Sequence, residues 1–144
     1  MNKNILLLIP LTAIVLSGCA SRKEIDDKLA KGCEAGAKYV MDLTDNDMEI
    51  VKVLSTTGAK DSSDKSKRKI TIRTLASLGG YAEEERDYHC TFSETYNFGF
   101  MGHAAEIATV EVDEEVYGRV DGNLKKLSLT QFQTMVGKIQ RAMN

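Results

Sequence analysis

DYHCTFSETYNF, residues 87–98, alternates in polarity at every position but one. Tyr88, Cys90, Phe92, Tyr96 and Phe98 fall on one side, and Asp87, His89, Thr91, Ser93, Thr95 and Asn97 on the other. Successive side chains of a strand point to opposite faces. The period of two therefore predicts an antiparallel strand with one face on a core and the other in water. Glu94 breaks the pattern, because its parity sets a carboxylate among the aromatic side chains. An unpaired buried carboxylate is costly. Either the strand bulges there or Glu94 meets a partner, for which Arg73 or a tyrosine hydroxyl is expected.

The neighbouring segments supply the rest of a sheet. Met48–Thr56 reads as a first strand, 58–67 as a polar loop, and Arg68–Leu78 as a second strand with Ile70, Ile72 and Ala76 facing inward. Gly79-Gly80 ends it. Ala105–Asp113 is the fourth strand, with Ala108, Val110 and Val112 inward, and the glycine-bearing stretch after it reads as irregular. Upstream, Ser21 followed by Glu24 forms a capping-box pattern that opens a helix running to about Met41. Ile25, Leu29, Cys33, Gly36 and Val40 recur there at spacings of three and four, an apolar stripe. Ala30, Gly32, Ala35, Gly36 and Ala37 would let this helix lie close to a sheet. Ser128 caps a last helix carrying Leu129, Phe132, Met135, Val136 and Ile139 on one side. The expected architecture is α+β: an N-terminal helix, a four-stranded antiparallel meander and a C-terminal helix, with both helices packed on one face of the sheet.

The chain opens with Lys3, an apolar run from Ile5 to Leu16, and the small residues Ser17-Gly18 before Cys19. About a dozen apolar residues are too few to cross a bilayer, which takes roughly 20, and Pro10 interrupts them. The run reads as a secretory signal. Leu16-Ser17-Gly18-Cys19 resembles the lipobox of bacterial lipoproteins, in which a peptidase cuts just before the cysteine. The resemblance implies a cleaved leader over residues 1–18, a single mature domain over 19–144, and a diacylglycerol-bearing, commonly N-acylated Cys19. Two or three acyl chains make a lasting anchor where one does not. Ala20 stands where many such proteins carry an inner-membrane-retaining aspartate. The resemblance thus implies the outer membrane, on the side facing the periplasm.

Of the three cysteines, Cys33 and Cys90 remain once Cys19 is assigned to lipid. One lies on the stripe of the first helix and one on the apolar face of the third strand. In an oxidising compartment a disulfide is expected of them, against the alternatives of two inert core thiols or a redox pair. No Cys-x-x-Cys spacing accompanies them.

Charge excludes one class of partner. The net charge is −2, and loss of Lys3 with the leader makes it −3, so there is no electrostatic footprint for nucleic acid. The one basic cluster, KSKRK at 65–69, reads as a solvated turn. The acidic runs Glu83–Glu85 and Asp113–Glu115 sit at strand ends and lack the spacing of a calcium loop. No metal and no cofactor is expected. His89 and His103 both read as surface residues, too far apart to share a substrate. Two readings of function follow. The first is a lipid-anchored, non-catalytic accessory or binding domain for an envelope protein partner, with Phe98, Phe100 and Met101 in the glycine-flanked NFGFMG stretch as the candidate contact, unless these residues fold back to close the end of the core. The alternative is a small envelope hydrolase using carboxylates around Glu94, for which a cleft around that residue would speak and a salt bridge on a closed core would speak against.

Overall fold

A computed structural model describes residues 21–44, 47–97 and 102–144. Cys19, the leader, and Phe98, Phe100 and Met101 lie outside the described residues. The elements follow in the order α1 (Arg22–Leu43), β1 (Met48–Lys60), β2 (Lys67–Leu78), β3 (Ala82–Asn97), β4 (Gly102–Val112), β5 (Glu115–Val120), β6 (Asn123–Lys125) and α2 (Leu129–Met143). The class is α+β as expected, but the antiparallel sheet has six strands rather than four, in the order β1-β2-β3-β4-β5-β6. Every strand pairs with its sequence neighbour, and the two helices flank the sheet.

The two additional strands occupy the stretch expected to be irregular. Each is entered through a two-residue turn with both residues at positive φ: Asp113 (51°) and Glu114 (66°), then Asp121 (49°) and Gly122 (80°). Such turns match the right-handed twist of the strands they join. Asp121-Gly122 announces its turn in sequence, whereas Asp113-Glu114 does not. Gly118 disguises β5. It sits at φ 126°, and a Cβ there would lie 2.3 Å from the carbonyl oxygen of Ala108, so only glycine fits the close approach to β4.

Both helices are capped at their N-termini as expected. Ser21 Oγ accepts from the Glu24 amide while the Glu24 carboxylate accepts from the Ser21 amide, and Ser128 and Gln131 repeat the arrangement at α2. β1 continues to Lys60, beyond the expected end at Thr56, because its pairing with β2 runs on to Lys60 opposite Arg68. The loop shrinks to 61–66, where Asp61 and Asp64 fold over the amides of Ser63 and Ser66. β4 carries one extra residue. Thr91 faces Thr109 while Phe92 faces Ile107, so Ala108 is a bulge and Ile107 takes the inward place expected of it.

One core joins helices and sheet. Ile70, Ile72, Tyr88, Cys90, Phe92 and Val110 from the strands meet Leu29, Cys33 and Val40 of α1 and Phe132, Met135 and Ile139 of α2, all buried. Leu129 and Val136, expected on the same stripe of α2, are exposed and half-buried respectively. Cys33 and Cys90 form a disulfide with no exposure at either end. The bridge spans 57 residues of chain and contributes about 4 kcal/mol in the chain-entropy account. The small residues of α1 admit the second helix as well as the expected sheet. A Cβ on Gly32 would lie 2.8 Å from Met143 Cγ of α2, and one on Gly36 would lie 2.9 Å from both Ile139 Cδ1 and Val110 Cγ2. Gly36 is therefore where two helices and β4 touch.

Because three elements close on that point, Gly36→Val should overpack it and lower stability by about 1–3 kcal/mol. Thermal unfolding of the oxidised protein measures this, and an unchanged melting temperature would contradict the close approach.

Candidate functional site

Glu94 is the residue the sequence marked as anomalous, and it sits within a chain of charges at the start of α1. Helical spacing puts Arg22 and Asp26 on one face. Arg22 donates from Nη2 to Asp26 Oδ1 at 2.7 Å and to Glu94 Oε1 at 2.7 Å, and from Nη1 to the Tyr96 hydroxyl at 2.8 Å. Asp26 in turn accepts from Arg68, Nε to Oδ1 at 2.8 Å and Nη2 to Oδ2 at 2.6 Å, a two-pronged pair. His103 Nε2 lies 2.8 Å from Glu94 Oε1, and the Tyr96 ring covers His103 at 5.2 Å between centroids. Five ionisable side chains and one hydroxyl thus join α1, β2, β3 and β4.

The expected partner of Glu94 was wrong in identity. Arg73 points to the other face of the sheet, where it pairs with Asp87 at 2.9 and 3.1 Å. Tyr96 does not reach the carboxylate but accepts from the same arginine, and at 48% exposure it lies outside the core it was expected to join. His103 is also no surface histidine: its side chain is only 18% exposed, opposite Tyr96 in the ladder. His89 does occupy the polar face, where its Nδ1 lies 2.8 Å from the Thr71 hydroxyl. The basic cluster is more than a turn, because Lys67–Lys69 begin β2 and Arg68 is 8% exposed against Asp26. Gly58 of β1 makes room for that pair. A Cβ there would lie 2.6 Å from Asp26 Oδ2 and 2.9 Å from Arg68 Nη2.

The electrostatics decide what the cluster can do. Burial by itself pushes the Glu94 carboxyl up, but the hydrogen bonds from Arg22 and His103 and the Arg22 charge outweigh it and hold the group below the usual carboxylate range. Burial likewise opposes ionisation of Asp26, and hydrogen bonds from Arg68 and Arg22 overcome it. An ionised Glu94 accepts hydrogen bonds only, so His103 Nε2 carries the proton between them. A general acid needs the opposite protonation state. Glu94 clamps α1 to the sheet instead, with its side chain 6% exposed.

A cleft lies elsewhere among the described residues, and Glu94 does not line it. Below Thr109 the β5–β6 hairpin parts from β4 and leaves a space of about 220 Å³ bordered by Lys67, Ser93, Glu106, Ile107, Arg119 and Phe132. Arg119 stands over the Phe132 ring at 5.3 Å. Among the described residues no group of three His, Cys, Asp or Glu side chains converges on a metal position, no buried side-chain nitrogen or oxygen lacks a hydrogen-bond partner, and no helix is long and apolar enough to cross a membrane. The acidic runs meet local cations, Arg86 bridging Glu84 and Asp113, and Lys126 reaching Glu115.

Removing Asp26 strands the buried Arg68 guanidinium, so Asp26→Asn should cost about 3 kcal/mol or more. Both carboxyls ionise more readily folded than unfolded. Their stabilisation is therefore complete above about pH 5 and is lost as the pH falls below about 4. Denaturant titrations from pH 7 to pH 3 should show a shallower acid decline in Glu94→Gln than in the parent. An equally steep decline would remove Glu94 from the clamp.

No known protein family, no curated protein and no solved structure matches the chain.

Proposed function

We propose that this protein is a lipid-anchored lipoprotein of the bacterial cell envelope, acylated at Cys19 after removal of residues 1–18 and held at the outer membrane facing the periplasm. Its mature domain is a non-catalytic accessory that binds an envelope protein partner. One observation carries the reading. The lipobox Leu16-Ser17-Gly18-Cys19 is followed after a single residue by Ser21, the cap of a helix whose Arg22 is bonded to Glu94 and Tyr96 of the sheet. Two peptide steps reach at most about 7 Å. An acylated Cys19 would then hold a rigid domain directly on the lipid surface. The buried disulfide supports an oxidising compartment. Phe98, Phe100 and Met101 are the proposed partner contact, chosen for residue types that interfaces favour. The hydrolase alternative lacks comparable support, since Glu94 is salt-bridged to Arg22 within the fold and does not line the cleft beside Arg119 and Phe132.

Cys19→Ser should lose the acyl mass and either appear in the soluble fraction or persist as uncleaved precursor, as read by intact mass and fractionation. Retained acylation would end the anchor reading. Phe100→Asp should leave the melting temperature nearly unchanged while cross-linking pull-down from the envelope loses the partner, by about 2 kcal/mol or more of binding. If Phe100→Asp instead unfolds the domain, the stretch is a lid on the core and the contact lies elsewhere.

A further inference from the structure

The ladder and the helix give the domain two chemically different ends. α1 starts beside Glu94 and Tyr96 and finishes where the Tyr88 hydroxyl meets Met41 Sδ. The 61–66 loop joins the starting end: Lys60 pairs with Arg68, Arg68 holds Asp26, and the Glu94 amide donates to the Ser66 carbonyl. Lys60, Lys65 and Lys69 are exposed on this loop and its flanking strands. The acids of the same end are occupied within the fold. Asp26 and Glu94 hold the arginines, Asp27 takes Lys23, Glu24 caps Ser21, and Asp61 and Asp64 accept from Ser63 and Ser66, with Lys67 3.6 Å from Asp64. Glu106 on the neighbouring strand and Asp121 in the β5–β6 turn, which border one cleft with Lys67, are exposed exceptions. The runs Glu83–Glu85 and Asp113–Glu115 lie toward the opposite end, beside the β2–β3 and β4–β5 turns. β2 connects the two ends, and twelve residues of strand reach about 37 Å. That is several times the screening length of about 8 Å at physiological salt.

We propose that the lysine-bearing loop, through Lys60, Lys65 and Lys69, contacts anionic phospholipid headgroups. The inference rests on the anchor at Cys19, which would bring this end and not the other to the bilayer. A net acidic domain tethered to an anionic surface is repelled only by the charges within a screening length of it. Here the acidic runs Glu83–Glu85 and Asp113–Glu115 stand at the far end, and at the near one the exposed Lys60, Lys65 and Lys69 stand beside acids of which most are bonded within the fold. The domain therefore stands upright on its lysines, with Tyr81, 98% exposed in the β2–β3 turn, farthest from the lipid.

The test uses the acylated full-length protein in vesicles. Cys19 is acylated and Cys33–Cys90 oxidised, so Ser62→Cys provides one free thiol for a fluorophore, and Tyr81→Cys provides the control. Vesicles of phosphatidylcholine, with or without phosphatidylglycerol, carry a headgroup-attached quencher. Quenching at position 62 should rise with phosphatidylglycerol, vanish in molar salt, and fall about fivefold for each of Lys60→Glu, Lys65→Glu and Lys69→Glu. The three Lys→Arg variants should retain it, and position 81 should stay bright throughout. Equal quenching with and without phosphatidylglycerol, quenching at position 81, or a shift reproduced by inorganic phosphate on neutral vesicles would overturn the proposal. If intact mass shows no acyl group on Cys19, the anchor reading fails by itself. Sedimentation of that unacylated chain with the same anionic vesicles then decides the surface: salt-sensitive binding lost on charge reversal supports it, and absence of binding overturns it.

Discussion

The bond between Cys33 and Cys90 lies where the middle of α1 crosses the middle of β3, and the remaining structure is arranged around that crossing. A meander of six strands has only one face it can bury, and without a helix laid across it that face is exposed. α1 supplies the cover and is held at three heights: Arg22 to Glu94 at its start, the disulfide in its middle, and Met41 under the Tyr88 hydroxyl at its end. α2 then has one place left, beside α1, where Gly32 and Gly36 leave room for Met143 and Ile139. The constraint is covalent at the centre and electrostatic at the start.

The electrostatic part is also what redirects the reading of Glu94. A carboxylate on a buried face invites a catalytic interpretation because perturbed groups gather at active sites, yet structural ion pairs perturb them as well. The direction separates the two cases here. Partners that donate hydrogen bonds to the ionised form lower the pKa, and Glu94 has two of them in Arg22 and His103. The cluster's cost is desolvation of Asp26, Glu94 and Arg68, and its return is geometric. It fixes the first turn of α1, and hence the exit of the chain toward Cys19, relative to the sheet. Without such a clamp the first turn of α1 would be free to fray.

Local patterns were legible in the sequence wherever one physical period or one chemical rule sufficed. Alternation over residues 87–98 determined β3 and its inward face. The capping boxes at Ser21 and Ser128 determined where both helices begin, and the parity of three cysteines together with the inward placement of Cys33 and Cys90 pointed to their bond. The resemblance of Leu16-Ser17-Gly18-Cys19 to a lipobox is likewise a purely local pattern. Tertiary structure decided what depended on residues far apart meeting. Arg22, Asp26 and Arg68 carry no motif, and Glu94 found Arg22, 72 residues away, because helix and sheet are superposed by the core. Arg73, nearer in sequence, was excluded by sitting on the other face of the sheet. β5 and β6 were hidden because Gly118 reads as a loop residue until β4 comes within 2.3 Å of where its Cβ would be, and the Ala108 bulge exists only as a mismatch between two strands. Short-range sterics and hydrogen bonding are written in neighbouring residues, whereas charge pairing across a core depends on which surfaces the buried apolar groups bring together.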